Sequence, residues 1–162
     1  MKILQHVLAV SMILLLVVGC NSQSTVPEGF YSYEKEQIKE AIDELDFSPE
    51  LPSYVPVAAD ILVTDHFYIG EQEDEAFDIT MFTQDNDIFT IQLINGQPYQ
   101  DNSNFEPIFI QDSLEGYYQD QVYSKTLRWE KEGITYQMIY RPSEQSLSQD
   151  MLQKVAESFE TS

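Results

Sequence analysis

Apolar residues change rhythm several times along this chain, and each change predicts a different element. Val7 to Val18 is almost purely apolar, with no polar face. Further on, Ile38, Ala41, Ile42 and Leu45 recur at i, i+3, i+4 and i+7, the spacing of one helical stripe. That spacing predicts an amphipathic helix over about Tyr33 to Leu45, capped by Ser32, with Glu34 and Glu36 near its positive end. The next stretch, DFSPELPSYVPVAAD, holds Pro49, Pro52 and Pro56, which rule out helix and force an extended crossing.

Strand patterns follow. Ile61-Leu62-Val63 and Phe67-Tyr68-Ile69 read as one interrupted strand. Phe77, Ile79 and Met81 alternate with Asp78 and Thr80, and Phe89, Ile91 and Leu93 alternate with Thr90 and Gln92; Phe82 and Ile94 are the exceptions. Gln84 to Asp87 between them suits a hairpin. NGQPYQDNSN reads as a loop and Ile108 to Ile110 as a short strand. Tyr123, Lys125, Leu127 and Trp129 are expected to share one face, and Ile134, Tyr136, Met138 and Tyr140 another. Gly133 in the link EKEG supplies a positive φ for a second hairpin. A last helix is expected behind Ser148 as N-cap, with Asp150 in its first turn and Leu147 stapled onto Leu152. Its predicted stripe is Met151, Leu152, Val155, Ala156 and Phe159. No internal repeat or low-complexity segment interrupts this order. The pattern predicts an α+β fold: a single antiparallel twisted sheet with an N-terminal and a C-terminal helix packed on it.

The opening apolar run needs a separate account. Lys2 gives a positive start, and about 12 apolar residues fall short of the roughly 20 that a spanning helix requires. The junction Leu16-Val17-Val18-Gly19-Cys20 resembles the bacterial lipobox. The resemblance implies a lipoprotein signal peptide over residues 1–19, diacylglycerol transfer to the Cys20 sulfur and cleavage after Gly19. Two acyl chains suffice for stable anchoring. Cys20 is the single cysteine, so an internal disulfide is excluded, and a thiol consumed by lipid fits an oxidising compartment. Residues 20–31, with Ser22, Ser24, Pro27 and Gly29, then read as a flexible tether, and residues 32–162 as one acidic domain. The expected location is the extracytoplasmic face of the cell membrane.

Charge narrows the partners. Eight Lys and Arg face 28 Asp and Glu, a net charge of −20. Between Lys39 and Lys125 lie 19 acidic residues and no Lys or Arg. Such a surface repels phosphates, which excludes nucleic acid and argues for solubility, a salty or alkaline habitat, or a cationic partner of the cell envelope. Ten Tyr and nine Phe provide ample apolar area for a core.

Catalytic chemistry finds little support. The mature chain holds one histidine, His66, and no Gly-x-Ser-x-Gly elbow, so neither a Cys-His pair nor a convincing Ser-His-Asp set is available. Zinc is disfavoured by the same shortage. Glu73, Asp74, Glu75 and Asp78, and Asp85 with Asp87, offer oxygens for calcium without the spacing of a known loop, and read as solvated turns. No glycine-rich phosphate loop is present, and no cofactor is expected. Tyr117, Tyr118, Tyr123, Trp129, Tyr136 and Tyr140 form the one notable cluster, either a core ladder or the lining of a groove.

Several motifs of the C-terminal half carry a resemblance: Gly116-Tyr117-Tyr118, Leu127-Arg128-Trp129, Gly133-Ile134 with Tyr136, and Leu147-Ser148 ahead of Leu152, Val155 and Ala156. Leu51-Pro52, Tyr54 and Pro56 extend it to about residues 51–160. This stretch resembles an uncharacterised C-terminal domain family of Gram-positive lipoproteins and membrane-anchored proteins of the anti-sigma-factor and sporulation type. The resemblance implies an anchored α+β domain and brings no catalytic residues. A fold-level likeness to the half-open sheets of periplasmic lipoprotein carriers adds an alternative, a carrier for an apolar ligand. The leading expectation is a non-enzymatic binding or envelope-sensing module; a carboxylate-based hydrolase is the third reading.

Overall fold

A computed structural model describes residues 26–97, 101–111, 113–143 and 147–160; Gly19 and Cys20 lie outside the described residues. The elements are α1 (Lys35–Ile42), β1 (Leu51–Pro52), β2 (Ile61–Ile69), β3 (Asp74–Phe82), β4 (Ile88–Asn95) and β5 (Glu106–Gln111). They continue with β6 (Leu114–Gln121), β7 (Ser124–Lys131), β8 (Ile134–Arg141), α2 (Gln149–Glu157) and β9 (Phe159–Glu160). Seven strands form an antiparallel sheet in the order β2-β3-β4-β8-β7-β6-β5, while β1 and β9 pair in a second, two-stranded sheet. The fold is thus mainly β with two short helices, and the expected single sheet is corrected to a large one and a small one.

The register aligns three rows of side chains across one face of the large sheet. Phe77, Leu93, Tyr136, Trp129 and Gly116 form the first, and Ile79, Ile91, Met138, Leu127 and Tyr118 the second. Met81, Phe89, Tyr140 and Lys125 form the third. These rows meet Ile38 and Ile42 of α1, Leu51, Val55 and Val57 of the proline-rich crossing, and Leu152, Val155 and Ala156 of α2 in one core cluster. The residues of β7 and β8 expected on two faces therefore share one. In an antiparallel pair, residues directly opposite point to the same side, and Trp129 stands opposite Tyr136.

Several boundaries move for physical reasons. Ser32 is exposed and caps nothing; Glu34 occupies the N-cap of α1 without a side-chain cap. The chain is still extended at Tyr31, which exchanges two 2.9 Å backbone hydrogen bonds with Val55, so Tyr31 and the partly buried Phe30 are docked on the body. β2 is continuous through Thr64-Asp65-His66, because a strand at a sheet edge can expose both faces. Ser148 does cap α2, accepting from the Met151 N–H at 3.2 Å. Phe159, expected on the stripe of α2, lies beyond the helix in β9 opposite Pro52.

The hydrophobic pattern does not predict β6. Its inward positions include Gly116, which no hydrophobic count detects. A Cβ there would stand 2.9 Å from Ile110 Cδ1 and 3.3 Å from the Arg128 carbonyl oxygen, so β5 and β6 approach only because the side chain is absent. Gly116→Ala should therefore destabilise by about 1–3 kcal/mol through overpacking, and Ile110→Val in the same chain should recover part of that loss in denaturant melts.

Candidate functional site

The aromatic cluster resolves into core and surface. Trp129 and Tyr136 stack with ring centroids 5.2 Å apart and planes 6° from parallel. Phe159 meets both edge-on, at 4.9 Å and 5.5 Å. The Tyr136 hydroxyl accepts from the Glu50 N–H at 3.1 Å, and Lys131 Nζ reaches the Glu50 carboxylate at 2.6 Å. Tyr118 and Tyr140 are also buried. Tyr117 lies half-buried on the opposite face, where it stands across from Arg128. Tyr123 is 83% exposed in the β6–β7 turn and belongs to no cluster. The turn is formed by Val122 and Tyr123 because Gln121 pairs with Ser124, so Tyr123 precedes β7 and never joins its face.

The concavity worth attention lies at one end of this core. A cleft of about 520 Å³ opens between the segment Pro56 to Asp60, the β3–β4 turn and the start of α2. Val57, Leu147 and Met151 give it an apolar wall; Asp60, Asp85 and Asp87 give it acid. Asp87 is 8% exposed and held from three sides. The Tyr140 hydroxyl donates to its Oδ2 at 2.9 Å, the Ser143 N–H donates to Oδ1 at 2.6 Å, and its own N–H donates to Thr83 Oγ1 at 3.0 Å. Asn86, with φ of 63°, makes the turn that delivers Asp87 there. Asp60 and Asp85 are exposed, with Gln84 Nε2 at 3.5 Å from Asp60 Oδ1. The arrangement offers negative charge beside an apolar wall.

His66 sits elsewhere, four residues along β2 from Leu62, whose cross-strand neighbour Met81 lies in the row that contains Tyr140. Its Nε2 is 3.0 Å from Glu75 Oε1, and the buried Glu75 carboxylate also accepts from the Asp46 N–H at 3.1 Å. This pair ties the crossing to β3.

The carboxylates considered for calcium diverge. Glu75 faces the core side of β3 while Asp74 and Asp78 face the other, with Asp74 beside Gly96. Glu73 lies in the β2–β3 turn at a φ of 54°. Among the described residues, no group of three His, Cys, Asp or Glu side chains comes together to hold a metal ion. None of the described helices is long and apolar enough to cross a membrane.

No protein-family model matches this sequence. Searches among curated proteins and among solved structures return no match either.

Two predictions follow from the buried rings. Trp129→Ala removes the centre of the stack and should cost about 3–5 kcal/mol in denaturant melts, because Trp129 is 2% exposed. Burial first, and then Asp87, raises the Tyr140 hydroxyl well above the ordinary tyrosine range; Tyr33, Tyr118 and Tyr136 are raised by burial as well. Unfolded tyrosines release their protons near pH ~10 while these keep theirs. Stability is then intact below about pH 10 and falls as pH rises beyond it. Melts between pH 9 and pH 11 (values chosen to bracket that ~10) should show a smaller alkaline loss in Tyr140→Phe than in the unsubstituted protein.

Proposed function

We propose that this chain is a lipid-anchored extracytoplasmic protein, a non-enzymatic module that binds a cationic partner of the cell envelope. The lipobox-like junction at Leu16 to Cys20 supports the anchor. The observation that carries the binding reading is the end cleft, an apolar wall faced by Asp60, Asp85 and the buried Asp87. A lysine or arginine side chain suits such a cleft, with its stem along Val57 and Met151 and its charge among the carboxylates. The finer fold reading, α+β with both terminal helices packed on the sheet, is supported by Ile38, Ile42, Leu152, Val155 and Ala156 sharing one cluster with the strands. The resemblance to the lipoprotein domain family agrees with an anchored module.

The apolar-ligand carrier is the weaker reading. It needs an open cleft against the aromatic face, and Trp129 and Tyr136 are each 2% exposed and lie outside the lining of the end cleft, which Tyr140 alone of the three reaches. A carboxylate hydrolase needs two buried acids converging on one space; Asp87 and Glu75 are buried at separate places.

Cys20→Ser should move the protein from the membrane to the soluble fraction and abolish incorporation of labelled palmitate, with thermal melting unchanged. Equal membrane retention of the variant overturns the anchor.

A further inference from the structure

The two edges of the large sheet are treated differently. β5 is six residues long, contains Pro107 and breaks register between Phe109 and Gln111. α2 covers its outer side: Gln153 Nε2 donates to the Phe109 carbonyl at 2.8 Å, and Gln111 Nε2 donates to the Glu157 carbonyl at 3.4 Å. A short strand, a proline, a bulge and a covering helix are the devices that stop an edge from pairing. β2 has none of them. It runs nine residues, pairs with β3 in unbroken register from Ile61–Phe82 to Ile69–Asp74, and contains no proline, glycine or lysine. Among the described strands nothing pairs on its outer side. Ile61 is 57% exposed, Val63 47% and Tyr68 62%.

Charge tells what this edge is suited to. On the face away from the core, β2 presents Ile61, Val63, Asp65, Phe67 and Ile69, an apolar row with one carboxylate at its centre. Asp65 stands directly opposite Asp78 of β3. Like charges across a strand pair destabilise it, and neither acid has an ion-pair partner among the described residues. The Asp78 Oδ1 atom is buried without a hydrogen-bond partner. Burial pushes this carboxyl up, Asp65 adds to that, and Gln92 and Arg141 oppose it. A face-preserving pairing of two copies centred on Asp65 would bring two Asp65 carboxylates together between chains of net charge −20 each. The charge therefore disfavours a second copy and favours a cation.

We infer that β2 accepts an added strand from a partner protein: an extended segment with one arginine or lysine flanked, two residues to either side, by β-branched or aromatic residues. Its cation stands opposite Asp65 and extends along the row toward the unpartnered Asp78 oxygen. Its apolar residues cover Val63 and Phe67, and its backbone pairs with the outward groups of β2. The proposal rests on the reading of the chain as a binding module and gives the partner a foothold distinct from the end cleft.

The test uses the full chain in detergent micelles and a nine-residue peptide of alternating valine and threonine with arginine in place of the central valine. Hydrogen exchange should slow at least tenfold at the outward amides of β2 and stay unchanged in β5 and the cleft. A peptide with glutamate at the centre should bind at least tenfold more weakly. Asp65→Lys, an exposed edge substitution whose folding is checked by its melting temperature, should reverse that preference. Four outcomes overturn the proposal: protection confined to the cleft, equal binding of both peptides, a preference that Asp65→Lys leaves unreversed, or β2 amides already protected without peptide. Light scattering then separates a second copy, which gives a dimer, from a segment of the same chain, which leaves a monomer. Protection in the cleft alone would sink the added strand while leaving the binding module standing.

Discussion

The stack of Trp129 on Tyr136, closed edge-on by Phe159, is the contact on which the rest of the molecule depends. A sheet seven strands wide needs cover on its apolar face, and helices of eight and nine residues are too small to supply it alone. Irregular chain must complete the cover, and irregular chain carries backbone groups that need partners. The stack solves both problems at one place. Phe159 opens β9, which pairs with β1, and the segment entering β1 is fastened by the Glu50 N–H on the Tyr136 hydroxyl and by Lys131 on the Glu50 carboxylate. The N-terminal crossing and the C-terminal strand thereby lock each other onto the middle of the sheet.

That solution consumes the apolar face. Trp129, Tyr136, Tyr140, Phe77 and Phe89 are each 2% exposed or less, so the aromatics of this face serve packing. The end cleft and the outer edge of β2 both join apolar side chains to carboxylates. Their chemistry is similar because the stretch between Lys39 and Lys125, which supplies both, contains no Lys or Arg.

Legibility in the sequence followed how many residues each inference needed. β3, β4 and β8 were readable because three alternating large apolar residues point inward in each, enough to fix period and face. β6 escaped because its inward positions include Gly116, where close approach to Ile110 and not hydrophobicity sets the residue. The pattern puts Tyr123 on the face of β7 because alternation continues unchanged from a turn into a strand, and only pairing of Gln121 with Ser124 tells them apart. The stripe overruns to Phe159 for the mirror reason: helical spacing persists past a helix end, and the stop is made by the Ser158 N–H and hydroxyl on the Val155 carbonyl, which the apolar pattern does not report. The faces of β7 and β8 were separated because periodicity fixes faces within a strand and says nothing about the register between two. For the candidate site, the acids were visible as composition, but the cleft depends on Pro56 to Asp60 meeting Thr83 to Asp87, a contact that local pattern does not encode.

The acidity of this chain is two populations under one count. Glu75, Asp87 and Glu50 are structural: each is at least half-buried and hydrogen-bonded to a backbone N–H or to a partner side chain, and each ties a cover segment or turn to the sheet. Asp60, Asp65 and Asp85 are exposed. Among acids of the first kind, removing Asp87 takes an acceptor from the buried Tyr140 hydroxyl and costs about 1–3 kcal/mol, while Lys131 and His66, the side-chain partners of Glu50 and Glu75, keep contact with solvent. Removing one of the second changes only the field outside. A net charge of −20 therefore overstates what solubility requires of the fold and understates what is available for contact. Asp65 lies beside the exposed Val63, and Asp60 and Asp85 lie at the mouth of the end cleft with its apolar wall. There a cation with an apolar stem gains from both, while an anion or a purely apolar molecule meets one favourable half of the surface and loses on the other.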